Sequence, residues 1–238
     1  MEITGKAVSH GYLVEVFTSY QGEGLRLGEK QMFIRLGGCN LLCDYCDEPE
    51  TVPVPSGNRV SLVQAQARIL RERERHPEVL TCSVTGGEPL LQSAFLQELL
   101  PWLDSLGFLI CLETNGVLHQ PLKKVLPWCG IISMDIKLPS ATGRKLLSNH
   151  REFLRIAPKK TAVKVVLTHR TREEELLEAV RLVEEVSAEI PFILQPATPF
   201  AGVRPPDPGR VLSWWGKSRA ILKHVFLIPQ WHPLWGLP

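Results

Sequence analysis

Three thiols stand within eight residues, Cys39-Asn40-Leu41-Leu42-Cys43-Asp44-Tyr45-Cys46, with three and then two residues between them. Loops of that length let sulfurs converge on one metal centre, and soft thiolates select zinc, copper(I) or iron–sulfur clusters. No further cysteine follows until Cys82, and Cys82, Cys111 and Cys129 stand singly in apolar surroundings. Three ligands on a four-iron cluster would leave one iron open to a small molecule. The plainer alternatives are a structural zinc site completed by a distant histidine, or three unrelated thiols. The seven histidines do not decide between them, because none stands near the triplet at zinc-finger spacing.

Thr85-Gly86-Gly87-Glu88-Pro89 is the second group with chemistry in it. Glycine has no Cβ to hold a ligand off the backbone, so the carbonyls here, with the Glu88 carboxylate, could receive an ammonium group. The alternative is a tight turn in which Pro89 sets the entry to a helix.

Composition narrows the setting. The chain has 238 residues, 44% apolar and 22% charged, with a net charge of +2. It can bury one sizeable core, and it lacks the basic excess of a nucleic-acid or membrane-surface protein. No stretch approaches the roughly 18 uninterrupted apolar residues of a membrane span. The opening Met1-Glu2-Ile3-Thr4-Gly5-Lys6 has no signal-peptide layout, so a cytoplasmic setting is expected. Clustered cysteines there point to metal binding or catalysis rather than to disulfides.

The elements that must position these groups follow from periodicity. Strands are expected over residues 13–17 and 31–36, the second running into Gly37-Gly38 and the cysteine loop. Residues 47–60 read as an irregular connection. Ser61 with Gln64 predicts a capped helix to about Arg75, with Leu62, Ala65, Ile69 and Leu70 buried. A strand over 79–84 then leads into the glycine turn. From there strand and helix alternate: helices over 95–106, 121–127, 144–156 and 208–223, and strands over 108–112, 131–136, 162–167, 192–194 and 225–228. Thr171 with Glu174 predicts one more capped helix, burying Leu176, Leu177, Val180, Val183 and Val186. Such alternation means a parallel sheet covered by helices, either open and doubly wound or a full or partial barrel, with its chemistry at the carboxyl ends of the strands. No linker divides the chain, so a single domain over 1–238 is expected.

Cys-x3-Cys-x2-Cys after one strand, Gly-Gly-Glu-Pro after the next and β–α alternation onward resemble the radical S-adenosylmethionine superfamily. The resemblance implies a partial βα barrel in which Cys39, Cys43 and Cys46 hold a [4Fe-4S] cluster. The open iron would chelate S-adenosylmethionine, whose cleavage yields a hydrogen-abstracting 5′-deoxyadenosyl radical. Tyr45 fits the aromatic that precedes the third cysteine. Within the superfamily, Phe17-Thr18-Ser19-Tyr20-Gln21-Gly22-Glu23-Gly24, Phe33-Ile34-Arg35-Leu36-Gly37-Gly38-Cys39 and the closing Ile228-Pro229-Gln230-Trp231-His232 resemble the 7-carboxy-7-deazaguanine synthase family. That family converts 6-carboxy-5,6,7,8-tetrahydropterin to 7-carboxy-7-deazaguanine and ammonia, on the route to deazapurines such as queuosine.

Position by position, the resemblance implies substrate contacts at Tyr20, Gln21, Gly22, Arg35, Thr85 and Pro238; Glu23 suits the donor–acceptor edge of the pterin, and His232 could line the pocket. It implies S-adenosylmethionine contacts at Tyr45, Cys46, Asp47, Gly87, Asp135, Ile136 and Lys137, to which the reading of the glycine turn adds Gly86 and Glu88. Arg35 offers a planar fork for the substrate carboxylate; the plainer reading is a surface salt bridge. Glu23 as turn polarity and His232 as a structural histidine are the corresponding alternatives. The loop at 37–48 would carry the cluster, and the segment 229–238 would close the substrate site. Two positions depart from the family pattern. Glu48 stands where a Thr or Ser helps bind Mg²⁺, a role a carboxylate can also fill. Asp135-Ile136-Lys137 stands where many members show Ser-Pro-Lys. A flavodoxin or ferredoxin as reductant and a homodimer are further expectations. A glycyl-radical-enzyme activase shares the central motifs, and a zinc-stabilised binding module would be the non-catalytic alternative.

Overall fold

The computed structural model describes residues 10–236. The N-terminal hexapeptide and Pro238 therefore lie outside the described residues.

Alternating apolar and polar residues give the strands their two faces. The order is β1 (His10–Tyr20), β2 (Lys30–Leu36), β3 (Asn58–Ser61), α1 (Leu62–Arg75), β4 (Thr81–Gly86), α2 (Ser93–Ser105) and β5 (Leu109–Thr114). It continues through α3 (His119–Val125), β6 (Ile131–Asp135), α4 (Pro139–Thr142), α5 (Leu147–Ile156), β7 (Thr161–Leu167) and α6 (Glu173–Val186). The last elements are β8 (Phe192–Pro196), α7 (Pro208–Arg219), β9 (Val225–Leu227) and α8 (His232–Trp235). One nine-stranded sheet runs β3-β1-β2-β4-β5-β6-β7-β8-β9, with β3 and β9 at its edges among the described residues. From β2 onward neighbours are parallel, whereas β1 runs against both β2 and β3. This is the open α/β sheet of a partial barrel.

Because side chains alternate along a strand, each strand turns one set of residues to the helices and the other away from them. Cys82 and Val84, Ile110 and Leu112, Ile132 and Met134, Val163 and Val165, and Phe192 and Leu194 join the main apolar core. Phe95, Leu96, Leu99, Leu100 and Leu103 of α2 pack into the same core. The alternate positions carry Ser83 and Thr85, Glu113, Ser133 and Asp135, Lys164 and Gln195. The inner face of the sheet is therefore polar, and it is where the chemistry can be.

Three expectations are corrected. Residues 47–60 are not wholly irregular: Asn58–Ser61 forms β3, pairing with His10–Leu13. That strand is too short and polar to show a pattern of its own; it forms because β1 offers a free edge. Leu70 is 41% exposed, because the buried stripe of α1 runs Ala65, Ile69, Glu72 and Leu70 lies one residue round the helix from it. The capping glutamate of α6 is Glu175, which accepts from the Arg172 backbone N–H at 2.9 Å, while the Thr171 hydroxyl accepts from Thr168 N one turn earlier. The Ser61–Gln64 cap forms as expected. Helices end within a few residues of their expected bounds. Among the described residues no helix is long and apolar enough to cross a membrane.

Candidate active site

The cysteine loop is fastened at its start by backbone hydrogen bonds, turned back on itself at its end, and held in the middle by one leucine. Gly38 N donates to Thr51 O and Cys39 N to Val52 O, while Cys46 N turns back to Cys43 O. Leu41 is buried with Val117 and Leu146, and Cys39 and Cys43 pack against that cluster. All three sulfur-bearing residues are half-buried and line one cavity of about 460 Å³. Burial pushes their thiols up, that of Cys43 to about 11.

The glycine turn fits under this loop. Gly87 N donates to Leu36 O and Glu88 N to Gly38 O. A Cβ on Gly86 would come within 1.9 Å of Leu36 O, and one on Gly87 within 2.3 Å of Gly38 O. The immediate reason for glycine is thus the closeness of two backbone segments, and both residues still line the cavity. Glu88 does not. It is fully buried, and its carboxylate accepts from Leu90 N, Asn115 N and Thr114 Oγ1 at 2.7–3.0 Å. The expected ammonium ligand is instead a cross-brace between two strand ends.

Parallel register brings distant residues side by side. Arg35 pairs with Thr85, Asp135 with Lys164, and Val166 with Gln195. Asp135 Oδ2 accepts from Lys137 Nζ at 2.7 Å and lies 3.6 Å from Lys164 Nζ. Lys137 also sits 4.9 Å from the centre of the Tyr45 ring. Ile136, between them, is fully buried in the apolar core rather than at the cavity. Lys164 forms an ion pair with Glu23. Burial acts to raise the Glu23 carboxyl, but Lys164 outweighs it with help from Gln230 and His232, and the group is held at about 2.

Tyr20, Gln21, Gly22 and Glu23 all line the cavity. The Gln21 amide donates to Glu113 Oε1 at 2.8 Å, and Glu113 Oε2 accepts from Thr85 Oγ1 at 3.0 Å. The C-terminal segment crosses the same turn. Trp231 N donates to Gly22 O at 2.9 Å, and the Gln230 amide bridges Glu23 Oε1 at 2.6 Å and Asp47 Oδ2 at 3.1 Å. His232 stands 4.0 Å from Asp47. Phe17 and Phe33, stacked at 5.1 Å, form an apolar wall beside Arg35.

Glu48 needs correction as a Mg²⁺ ligand. Its carboxylate lies 2.8 Å from Arg35 Nη1, and burial together with Glu50 raises it to about 7. Among the described residues, the metal-ligand group within 4.8 Å is Glu23, Asp47 and His232, where Gln230 already bridges the two acids.

Sequence reasoning missed Glu113, Lys164, Gln195, Thr198 and Gln230, all of which line the cavity. Gln230 stood inside the closing Ile228-Pro229-Gln230-Trp231-His232 motif without being given a role; the others are common residues outside any motif, and the one available signal was their polar type inside a strand or just past a strand end. Gln195 is the clearest case: it is 1% exposed and neither of its amide atoms has a partner. Asp135 Oδ1 on the same wall is likewise buried and unpaired. Buried polar atoms without partners are costly, so this wall is built for a polar ligand. That fits an S-adenosylmethionine beside three thiols able to hold an iron–sulfur cluster.

The Radical SAM superfamily profile matches residues 33–186, and the chain belongs to that superfamily. Within it the chain belongs to the 7-carboxy-7-deazaguanine synthase family. It is 39% identical to the 7-carboxy-7-deazaguanine synthase of Geobacter sulfurreducens over 242 residues, covering 94% of this chain and 96% of the relative. Identity to the synthase of Methanothermobacter thermautotrophicus is 32%, covering 94% and 97%. The crystal structure of QueE from Escherichia coli shares the fold at a TM-score of 0.64 and 21% identity, covering 93% of this chain and 95% of that one. These likenesses set aside both the zinc module and the activase.

Proposed function

We propose that this enzyme converts 6-carboxy-5,6,7,8-tetrahydropterin to 7-carboxy-7-deazaguanine with release of ammonia. One observation carries the reading: a single cavity gathers the three thiols, Arg35 and the C-terminal segment against the polar face of the sheet. Cys39, Cys43 and Cys46 hold the [4Fe-4S] cluster. When bound and reduced by a donor such as flavodoxin or ferredoxin, the cluster and S-adenosylmethionine supply the radical chemistry.

The chain's own residues do the positioning. Gly86, Gly87, Asp135, Lys137 and the Tyr45-Cys46-Asp47 stretch face S-adenosylmethionine, with Gln195 offering its free amide. Arg35 receives the substrate carboxylate. Gln21, Glu23 and Thr85 read the donor–acceptor edge of the pterin, and Glu113 fixes two of them by accepting from the Gln21 amide and the Thr85 hydroxyl. Tyr20, Gly22 and His232 close the pocket with the C-terminal segment. Glu48 does not fit Mg²⁺ while it holds Arg35, so no step runs through that ion. We assign the active form to a homodimer in the cytoplasm, for which light scattering should read twice the 26.7 kDa mass of the chain.

Anaerobically reconstituted protein should be brown and carry about four irons per chain. Given dithionite, S-adenosylmethionine and the carboxytetrahydropterin, it should release carboxydeazaguanine without consuming S-adenosylmethionine. Stoichiometric consumption of S-adenosylmethionine with no carboxydeazaguanine would overturn the assignment.

A further inference from the structure

Arg35 is held by two carboxylates of different kinds. Glu15, its register partner on β1, accepts from Nε at 2.7 Å and lies outside the cavity lining. Glu48 takes Nη1 at 2.8 Å from within the cavity. The Arg35 side chain is 12% exposed and its guanidinium lies 5.4 Å from the Phe17 ring centre, so its position is fixed and its cavity-facing edge is occupied.

The backbone of Glu48 is anchored, since Glu48 O accepts from Thr51 N at 3.0 Å and Thr51 Oγ1 at 2.8 Å. Its side chain, in contrast, is 31% exposed and has three rotatable bonds. A fixed cation thus faces a tethered, displaceable carboxyl group.

We propose that Glu48 is an internal stand-in for the ligand carboxylate: it holds Arg35 between turnovers, yields it to substrate, and reclaims it to eject product. The inference rests on the carboxypterin reading given above. Substrate and product both carry a carboxylate, so an unopposed Arg35 would grip the product as firmly as the substrate. An attached competitor weakens both bound states equally. It does not weaken binding of a ligand that never reaches for Arg35.

The test uses S-adenosylmethionine-loaded holoenzyme and equilibrium binding of two stable probes, 7-carboxy-7-deazaguanine and 7-deazaguanine. Glu48→Gln should bind the carboxylated probe about tenfold tighter than wild type, because a charge-assisted competitor has been replaced by a neutral one. Binding of 7-deazaguanine should not change. Glu48→Ala, which cannot hydrogen-bond at all, should move the same way, with iron content and cluster absorbance confirming an intact site in each variant. Unchanged or weaker binding of the carboxylated probe, or equal tightening of both probes, overturns the proposal. If wild type turns over carboxytetrahydropterin while the variants fail this test, the inference alone falls. If wild type does not turn it over, the functional reading fails and takes the inference with it.

Discussion

Glu88 and Glu23 show how the same side chain does opposite work in two surroundings. Glu88 is buried deeply enough that its carboxyl is pushed up to about 7, against the donors from Asn115, Leu90 and Thr114 and the more distant charge of Lys137 that pull it down. Its value is structural, since it ties the end of β4 to the end of β5 beneath the cysteine loop. Glu88→Gln replaces one acceptor oxygen with an amide that faces donors, which should cost about 1–3 kcal/mol in urea unfolding of the cluster-free protein. S-adenosylmethionine affinity of the reconstituted variant should stay within about twofold, as suits a residue behind the wall. Lost affinity with unchanged stability would restore Glu88 to ligand binding. Glu23 is instead held at about 2 by Lys164, so it stays ionised throughout the working range. Lys164→Met removes the attraction and leaves burial to act alone, which raises the Glu23 pKa. A new acid limb should then appear in kcat/KM, activity falling as the pH drops through the raised value. Wild type should show no inflection from Glu23 above pH 4.

Among the elements, the closing segment depends on a missing side chain. Gly22 carries the carbonyl that receives Trp231 N, and a Cβ there would sit 2.4 Å from His232 Nδ1. Gly22→Ala keeps an allowed backbone yet forces the segment outward, carrying Gln230 away from Glu23 and Asp47. The expected result is a KM for the pterin raised about tenfold, with iron content and unfolding midpoint unchanged. A variant with wild-type KM would mean that the segment does not close the site. The same region shows what the sequence could convey. The Gln21-Gly22-Glu23-Gly24 turn and the cysteine loop are local patterns, and both were legible together with every strand of the parallel run. The inner polar face was not, because Glu113, Lys164 and Gln195 come to share one face only when parallel register aligns neighbouring strands roughly 20 to 30 residues apart in the chain. Strand β3 escaped because its pairing partner, not its composition, makes it a strand.

At the scale of the whole molecule, one buried histidine couples the helix layer to the cluster loop. His150 of α5 is fully buried; its Nε2 lies 3.1 Å from Asn115 O, and its Nδ1 has no partner. Asn115 in turn donates to Asn40 Oδ1 at 2.8 Å, inside the cysteine loop. The arrangement is satisfied by a neutral ring that donates from Nε2. Burial lowers the His150 pKa to about 4, against 6.5 for the free side chain. Between those values the unfolded chain takes up a proton that the folded protein refuses. The stability from His150 is therefore complete above pH 6.5 and is lost progressively as the pH falls toward 4. Each pH unit in that window corresponds to about 1.4 kcal/mol, so dropping to pH 5 should remove about 2 kcal/mol. His150→Gln retains a donor for Asn115 O but does not titrate. Urea unfolding of the cluster-free proteins at pH 7 and pH 5 separates this residue from the carboxylates, which weaken both proteins alike. The wild type should lose about 2 kcal/mol more than the variant between the two conditions. Equal losses would show that the ring accepts its proton inside the fold, with Nδ1 finding a partner that the neutral form does not need.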